Sequence, residues 1–136
     1  MVKADGLSWE EQCRNLLSIL KQSGDSVSFR APVNFEVVPD YLRVVDYPMD
    51  LQTVGEQLQN DNYATPSEFA KDVRLIFENS KKFNRNTKSV IYVMTDRLLI
   101  LFEDHIRPIL SSCETQKTAA GWEFKFFCFV NLQFYC

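Results

Sequence analysis

The chain has 136 residues, a length that suits one compact domain and is too short for two. Hydrophobic residues make up 46% of it and charged residues 24%, which argues against disorder and against a coiled-coil rod. The formal net charge of -3 provides no basic field for nucleic acid, and no apolar run reaches the length of a membrane span. With only four glycines there is no nucleotide-binding loop, and there is no zinc motif either, so we expect no cofactor.

The cysteines are scattered along the chain without the spacing of a metal site, and no secretory signal peptide opens the sequence. We therefore expect free thiols in a reducing, intracellular compartment. These residues are Cys13, Cys113, Cys128 and Cys136.

The first predicted helix begins near Trp9. Ser8 and Glu11 have the form of a capping box, in which each side chain accepts a hydrogen bond from the backbone amide of the other residue. Gly24 is expected to end this helix. One face of the helix carries apolar residues at helical spacing, namely Trp9, Cys13, Leu16, Leu17 and Leu20.

Residues 24–49 form a long connection after the first helix. Pro32, Pro39 and Pro48 interrupt apolar residues that fit neither the helical nor the strand period. Structureless loops of this length are uncommon in small domains, and disorder is the alternative interpretation. The apolar residues are too many to leave in water, so we expect an ordered loop that lines a concave site. They are Val27, Phe29, Val33, Phe35, Val37, Val38, Tyr41, Val44 and Val45.

Two further helices are predicted from their caps. Asp50 caps the second helix, which ends in the polar turn at residues 59–62. Thr65 and Glu68 form a second capping box, and the third helix that follows should reach about Phe83. The buried stripes are Leu51, Val54 and Leu58 on the second helix, and Phe69, Val73, Ile76 and Phe77 on the third.

The fourth predicted helix begins at Val90 and ends at Pro108, because proline removes a backbone donor from a helix interior. Four amphipathic helices with one long ordered loop between the first and second predict an all-α bundle. Its ligand site is expected at the end of the bundle where the loops meet. The apolar positions of the fourth helix are Val90, Ile91, Met94, Leu98, Leu101, Phe102 and Ile106.

Catalytic groups are sparse in this sequence. His105 is the only histidine, and a lone histidine near the predicted end of a helix is explained by the helix dipole. The carboxylates fall mostly on polar helix faces, where solvated surface is the better explanation. We therefore expect that the protein is not an enzyme.

The strongest functional signal combines two segments. Residues 39–50 read Pro-Asp-Tyr-Leu-Arg-Val-Val-Asp-Tyr-Pro-Met-Asp, and residues 79–84 end the third helix in a phenylalanine and an asparagine. Together with residues 29–33 and 62–63, they resemble the motifs of bromodomains, in the same order and at the same separations. The resemblance covers about residues 8–110, and it implies a left-handed four-helix bundle that binds acetylated lysine.

The resemblance divides the chain into a bromodomain at residues 8–112 and an atypical C-terminal tail at residues 113–136. Residues 8–13 and 71–77 further resemble the second bromodomain of the WD-repeat-containing bromodomain proteins.

The tail does not follow the helical pattern. From residue 122 to residue 134 every even position is apolar, which predicts a strand. We expect that an aromatic segment such as residues 121–136 either packs on the bundle, pairs with a partner or is an atypical chain end. The alternative function is therefore a helical scaffold whose tail mediates assembly and whose pocket is vestigial.

The resemblance implies roles for individual residues in binding acetyl-lysine. Asn84 would donate its side-chain amide to the acetyl carbonyl, and Tyr41 would reach the same oxygen through a water molecule. Phe29 would close the floor against the acetyl methyl group, and Val90 would guard the mouth. The channel around the lysine methylenes would be lined by Val33, Val38 and Phe83.

Three positions depart from the family pattern. Val27 and Ser28 stand where many bromodomains carry Trp-Pro, which removes a tryptophan shelf at the rim of the pocket. Phe83 stands where tyrosine is common, so a hydroxyl contact is absent although the ring still packs. We expect a wider and less apolar mouth.

The resemblance also implies the partners of this domain. We expect a monomeric nuclear reader within a larger chromatin protein, and its ligand would be an acetylated histone tail. Acids in the loop would face a basic peptide or be simply solvated, and cations near Asn84 would make a weak contact with nucleosomal DNA. The acids are Asp25, Glu36, Asp40 and Asp46, and the cations are Lys81, Lys82, Arg85 and Lys88.

Overall fold

The computed structural model describes residues 6–120, with side chains for residues 6–113. These residues form helices and loops and contain no strand, and the strand predicted for the tail lies outside them. None of the helices in this part of the chain combines the length and the hydropathy of a membrane crossing. The elements are α1 (Trp9–Gln22), a 3-10 helix (Gly24–Phe29), α2 (Tyr41–Val44), α3 (Leu51–Gln59), α4 (Pro66–Phe83) and α5 (Val90–Ala120).

Two predicted helix starts are confirmed by their hydrogen bonds. The Ser8 hydroxyl accepts from the Glu11 amide at 3.2 Å, and the Glu11 carboxylate accepts from the Ser8 amide at 3.2 Å. At α3 the Asp50 carboxylate accepts from the Thr53 amide at 2.9 Å. These bonds satisfy amides that have no partner in the first turn of a helix.

The capping box predicted at α4 is half formed. The Thr65 hydroxyl accepts from the Glu68 amide at 3.3 Å, as predicted. The Glu68 carboxylate, however, accepts from the Ala64 amide at 2.6 Å rather than from the amide of Thr65. The helix still starts where the sequence predicts. The Thr65 cap and Pro66 in the first turn favour this start without a bond from the Thr65 amide to the Glu68 carboxylate.

The prediction that Gly24 ends the first helix is wrong. α1 ends at Gln22, and Ser23 adopts an extended conformation with a ψ of 133°. The Ser23 hydroxyl accepts from the Asp25 amide at 3.2 Å, so Ser23 both ends α1 and caps the 3-10 helix. Gly24 is the first residue of that 3-10 helix and has no positive φ, so its conformational freedom is not used.

The prediction that Pro108 ends the last helix is also wrong, because α5 continues through Pro108 to Ala120. A proline inside a helix costs about 3 kcal/mol. Ile106 and Ile109 are buried on either side of it, and burying each of these side chains contributes about 1.5 to 3 kcal/mol. The packing of this turn therefore offsets the lost hydrogen bond.

His105 consequently lies inside α5 rather than near its end. Its Nδ1 atom is 2.8 Å from the carbonyl oxygen of Leu101, one turn earlier in the same helix. The interpretation of His105 as a helix-dipole residue is therefore wrong, and a local hydrogen bond accounts for its position instead.

The core lies between α1, α3, α4 and α5, the four long elements of the predicted bundle. Phe69, Phe77 and Phe102 fill its centre, and the ring of Phe102 lies 6.4 Å from that of Phe69 and 6.1 Å from that of Phe77. On the surface, Arg74 of α4 donates two hydrogen bonds to the Glu103 carboxylate of α5, at 2.7 and 3.0 Å. These contacts fix α4 against α5, the two helices that flank the site described below.

The connection between α1 and α3 is ordered, as predicted, by contacts at both of its ends. The Arg30 guanidinium donates to the Ser23 carbonyl at 2.9 Å and to the Ser26 hydroxyl at 3.0 Å. At the other end the buried side-chain amide of Asn79 donates to the carbonyl oxygen of Tyr47 at 2.8 Å. The connection is therefore held over one end of the bundle.

Candidate functional site

A cavity of about 330 Å³ opens at this end of the bundle. Its walls come from the 3-10 helix, the ordered connection, the last turns of α4 and the first turn of α5. A volume near the low end of ligand pockets suits one long side chain together with water molecules. The lining residues are Ser28, Phe29, Ala31, Val33, Asn34, Val37, Val38, Tyr41, Met49, Ile76, Ser80, Phe83, Asn84 and Ile91.

The cavity wall carries no charged side chain among the described residues that line it. Its polar groups are two asparagines, two serines and one tyrosine, and the remainder is aliphatic or aromatic. A charged ligand group buried here would lack a counter-ion, which costs several kcal/mol. The cavity therefore favours a neutral ligand that has an apolar stem and a hydrogen-bonding group.

Asn84 is held at the C-terminal end of α4 by its own helix. Its backbone amide donates to the carbonyl oxygen of Ser80 at 2.8 Å, and its side-chain Nδ2 donates to the same oxygen at 2.9 Å. A carbonyl oxygen accepts only from a donor, so this contact also fixes which side-chain atom is the nitrogen. One N–H of the carboxamide remains available to a ligand.

Tyr41 is held between two phenylalanine rings. The ring of Phe83 lies 5.1 Å from its centroid and the ring of Phe35 lies 6.3 Å away in a stacked arrangement. Its hydroxyl makes no hydrogen bond within the described residues. Every buried polar side-chain atom in that part of the chain has a partner, so the Tyr41 hydroxyl is not buried and remains open to solvent. Burial of the ring raises the pKa of Tyr41, which keeps the hydroxyl protonated as a donor.

A buried pair of hydroxyl groups, on Ser80 and Thr95, joins α4 to α5 next to Asn84. The Thr95 hydroxyl donates to the carbonyl oxygen of Ile91 at 2.6 Å, and the Ser80 hydroxyl lies 2.7 Å from the Thr95 oxygen. Because Thr95 has already used its only hydroxyl hydrogen, Ser80 is the donor in the second bond. These bonds join the turn of α4 that holds Asn84 to the turn of α5 that carries Ile91.

The cavity brings together most of the residues predicted for the site. Val90 is not among the lining residues and is 76% exposed at the start of α5. Successive side chains of a helix point about 100° apart, so Ile91 faces the cavity and Val90 faces solvent. The residues that line the cavity as predicted are Phe29, Val33, Val38, Tyr41, Phe83 and Asn84.

Several lining residues were not among the predicted site residues. Ile76 was assigned to the core of α4, where it is buried, and it also forms part of the cavity wall. Met49 also lines the cavity, and its place next to Pro48 in the motif before α3 could have identified it as a site residue. For Asn34 the sequence offers no signal, because its position depends on how the connection folds.

The charged residues around the mouth are largely paired with one another. Asp40 lies 3.4 Å from Arg43, Asp46 lies 3.8 Å from Lys82, and both pairs are exposed. On the first turns of α5, Asp96 contacts Lys81 at 2.5 Å. Asp25, also predicted to face a peptide, lies 3.7 Å from Arg97 instead.

Comparison with known proteins assigns the chain and its fold to a family. The family model described as Bromodomain matches residues 13–97. The chain belongs to the bromodomain family. The solved bromodomain of human BAZ1A has the same fold, with a TM-score of 0.71 and 25% sequence identity over 76% of this chain and 96% of that one. The predicted all-α, left-handed four-helix bundle is thereby confirmed.

Three curated proteins contain a segment that is similar to this chain. Bromodomain adjacent to zinc finger domain protein 2B of Mus musculus is 38% identical over 57% of the chain. Transcription factor GTE11 of Arabidopsis thaliana is 38% identical over 68%, and an ankyrin repeat, bromo and BTB domain-containing protein of Dictyostelium discoideum is 39% identical over 57%. The matched segments cover 4%, 15% and 10% of these relatives, respectively.

The described part of this bromodomain brings together no group of three or more His, Cys, Asp or Glu residues that would hold a metal ion. Cys13 and Cys113 are free thiols, whereas Cys128 and Cys136 lie outside the described residues.

Proposed function

We propose that this bromodomain is a reader of acetyl-lysine in histone tails. The observation that carries the proposal is the uncharged cavity in which Asn84 keeps one amide hydrogen free. That hydrogen would be donated to the acetyl carbonyl oxygen, while the Tyr41 hydroxyl would reach the same oxygen through a water molecule. Membership of a family of generally non-enzymatic acetyl-lysine readers supports this assignment.

The selectivity for acetylated lysine follows from charge. Acetylation converts an ammonium group into a neutral amide and introduces a carbonyl oxygen that accepts hydrogen bonds. An unmodified lysine would bring its charge against a wall without a carboxylate, and burying that charge unpaired costs several kcal/mol. The cavity would therefore reject unmodified lysine because it offers no counter-ion.

The apolar part of the cavity would bind the stem of the side chain. Val33, Val38 and Phe83 line the cavity where the lysine methylenes would lie, and each methylene contributes about 0.8 kcal/mol at full burial. Phe29 would contact the acetyl methyl group at the floor. We assign the position at the mouth to Ile91, since Val90 faces solvent.

The site supports weak binding of a single acetylated residue. The hydrogen bonds to the acetyl oxygen contribute about 0.5 to 1.5 kcal/mol each, and ordering a peptide offsets much of the apolar gain. We therefore propose a Kd of tens to hundreds of micromolar for a singly acetylated peptide, as an order of magnitude.

The wider assignments follow from the family and the relatives. We propose that residues 8–112 act as the reader module of a larger nuclear chromatin protein and that residues 113–136, which begin within α5, take no part in binding acetyl-lysine. The resemblance to the second bromodomain of WD-repeat proteins stays a prediction, since none of the three relatives above is named as a WD-repeat protein. Contact with nucleosomal DNA would be weak, because Lys81 and Lys82 are each paired with an aspartate.

The proposal is tested by calorimetric titration of the chain with matched histone-tail peptides that differ only in acetylation of one lysine. We expect saturable binding of the acetylated peptide and none of the unmodified one at the same concentration. Equal affinity for the two peptides would contradict the proposal, because the uncharged wall would then have no role in selection.

A further inference from the structure

Two exposed turns border the mouth of the cavity. In the first, residues 34–38, the Glu36 amide donates to the Asn34 side-chain oxygen at 2.9 Å. In the second, residues 84–89, the Lys88 amide donates to the Asn86 side-chain oxygen at 3.0 Å. The first turn supplies part of the cavity wall, and the second joins Asn84 to Ile91, which both line it. A peptide whose lysine enters the cavity would therefore run over these two turns.

The two turns differ in the charge that remains after internal pairing. Asp40, two residues after the first turn, is paired with Arg43. Glu36, in contrast, is exposed and makes no ion pair among the described residues. Arg85 and Lys88 of the second turn are likewise exposed and unpaired within that part of the chain. One side of the mouth thus carries a free anion and the other carries two free cations.

We propose that this charge separation selects acetyl-lysine peptides with a carboxylate on one flank and a cation on the other. This inference rests on the proposed function, because the acetylated side chain fixes the peptide in the cavity. The carboxylate of an aspartate or glutamate would face Arg85 and Lys88, and a lysine or arginine would face Glu36. In an extended peptide each residue spans about 3.3 Å, so the charges within two or three residues of the acetyl-lysine reach the turns.

A peptide carboxylate suits the two cations better than a nucleic-acid backbone does. Non-specific binding to DNA depends on releasing many counterions, and proteins that bind this way neutralise several phosphates. Here Lys82 is paired with Asp46, and the chain as a whole has a net charge of -3. Two free cations next to a pocket for a neutral side chain match a single flanking carboxylate.

The test uses four synthetic peptides that share one central acetyl-lysine. The first carries glutamate before and lysine after it, the second carries the same residues in the opposite order, and the third and fourth carry two lysines or two glycines. The first two have the same composition and net charge, so a difference between their Kd values reports the order of the charges. We expect one of them to bind most tightly and the other about two- to tenfold more weakly at low salt.

Charge-reversal variants identify the residues responsible for this order. In the double variant Arg85→Glu and Lys88→Glu, we expect the difference between the Kd values of the first two peptides to vanish or invert. We expect Glu36→Lys to change this difference in the same direction. Lys71→Glu is the matched control, since Lys71 is exposed on α4 about 20 Å along the helix from Asn84. Added salt should reduce the difference, because it screens exposed charges.

The outcomes separate this inference from the proposed function. If acetylated peptides bind and unmodified ones do not, but the two charge orders bind equally, the charge selection is refuted while acetyl-lysine reading stands. If peptides of both charge orders bind equally well with and without acetylation, the proposed function fails. If the double variant loses affinity for an unmodified DNA duplex without altering the order of the peptides, the cations serve phosphate instead and the inference is overturned.

Discussion

Removal of the Asn84 carboxamide should separate ligand binding from folding. In the free protein the side-chain amide donates to the Ser80 carbonyl at 2.9 Å, and the backbone amide of Asn84 donates to the same oxygen at 2.8 Å. The carbonyl therefore keeps a partner in Asn84→Ala. Because no buried group is left unpaired, we expect the free energy of unfolding to fall by only about 0.5 to 1 kcal/mol.

The expected loss of binding is larger than the loss of stability. In Asn84→Ala the acetyl oxygen of the ligand loses its only direct donor inside a cavity that has few polar groups. Leaving a buried acceptor without its donor costs about 1 to 3 kcal/mol, which corresponds to a Kd about 5- to 150-fold higher. Isothermal titration with an acetylated peptide measures the Kd, and urea denaturation of the same sample measures the stability.

The matched control is Asn15→Ala, which removes the same carboxamide from an exposed position on α1. We expect it to leave the Kd unchanged. An Asn84→Ala protein that is stable and binds the acetylated peptide with wild-type affinity would refute the reasoning, because the free amide hydrogen would then have no ligand.

Four further predictions concern the walls and the core. Tyr41→Phe keeps the ring packing and removes an unpaired hydroxyl, so titration should show a Kd raised up to about tenfold with stability unchanged. Ile91→Ala should weaken binding more than Val90→Ala, and the reverse order would contradict the register of α5. Thr95→Val leaves a buried serine hydroxyl without its acceptor, so urea denaturation should show a loss of about 1 to 3 kcal/mol that Thr95→Ser largely avoids. Burial raises the pKa of the Cys13 thiol to about 12 from its usual value of 9.0, so its contribution to stability is present below pH 9.0 and should decline as the pH rises toward 12. Denaturation across that range should show a shallower decline for Cys13→Ala than for the wild type.

The helix starts were predictable because each depends on a few neighbouring residues. Ser8 with Glu11 and Asp50 with Thr53 form caps within one turn of chain, and both are present in the structure. The buried stripes were predictable for a similar reason, since a helix that packs on a core must repeat apolar residues at its own period. These local rules suffice to predict four helices and their packing into a bundle.

The predictions that failed concern helix ends and positions set by distant contacts. Pro108 remains helical because residues of other helices bury the isoleucines around it, which no local rule on proline includes. Ser23 rather than Gly24 ends α1, since its hydroxyl caps the 3-10 helix that follows. Val90, predicted to guard the mouth, is exposed at the start of α5 while its neighbour Ile91 lines the cavity, so the role of Val90 stays a prediction.

The cavity was predictable in composition but not in geometry. The aromatic and aliphatic residues before α3 indicated a concave site, yet its walls depend on the contact between Asn79 and the Tyr47 carbonyl, across 32 positions of sequence. The paired state of Asp46 and Lys82 likewise depends on how two distant segments meet. Such contacts arise only once the chain has folded.

The single hydrogen that Asn84 keeps free has a consequence for other modifications of the same lysine. A carboxamide nitrogen carries two hydrogens, and one is already bonded to Ser80, so the residue can satisfy one ligand oxygen. A succinyl group in place of the acetyl would add a negatively charged terminus and two more acceptor atoms, and the lining residues offer neither a cation nor further amide hydrogens from Asn84. If the domain reads acetyl-lysine as proposed, we expect that replacing the acetyl group by a succinyl group abolishes binding, although the lysine nitrogen is a neutral amide in both cases.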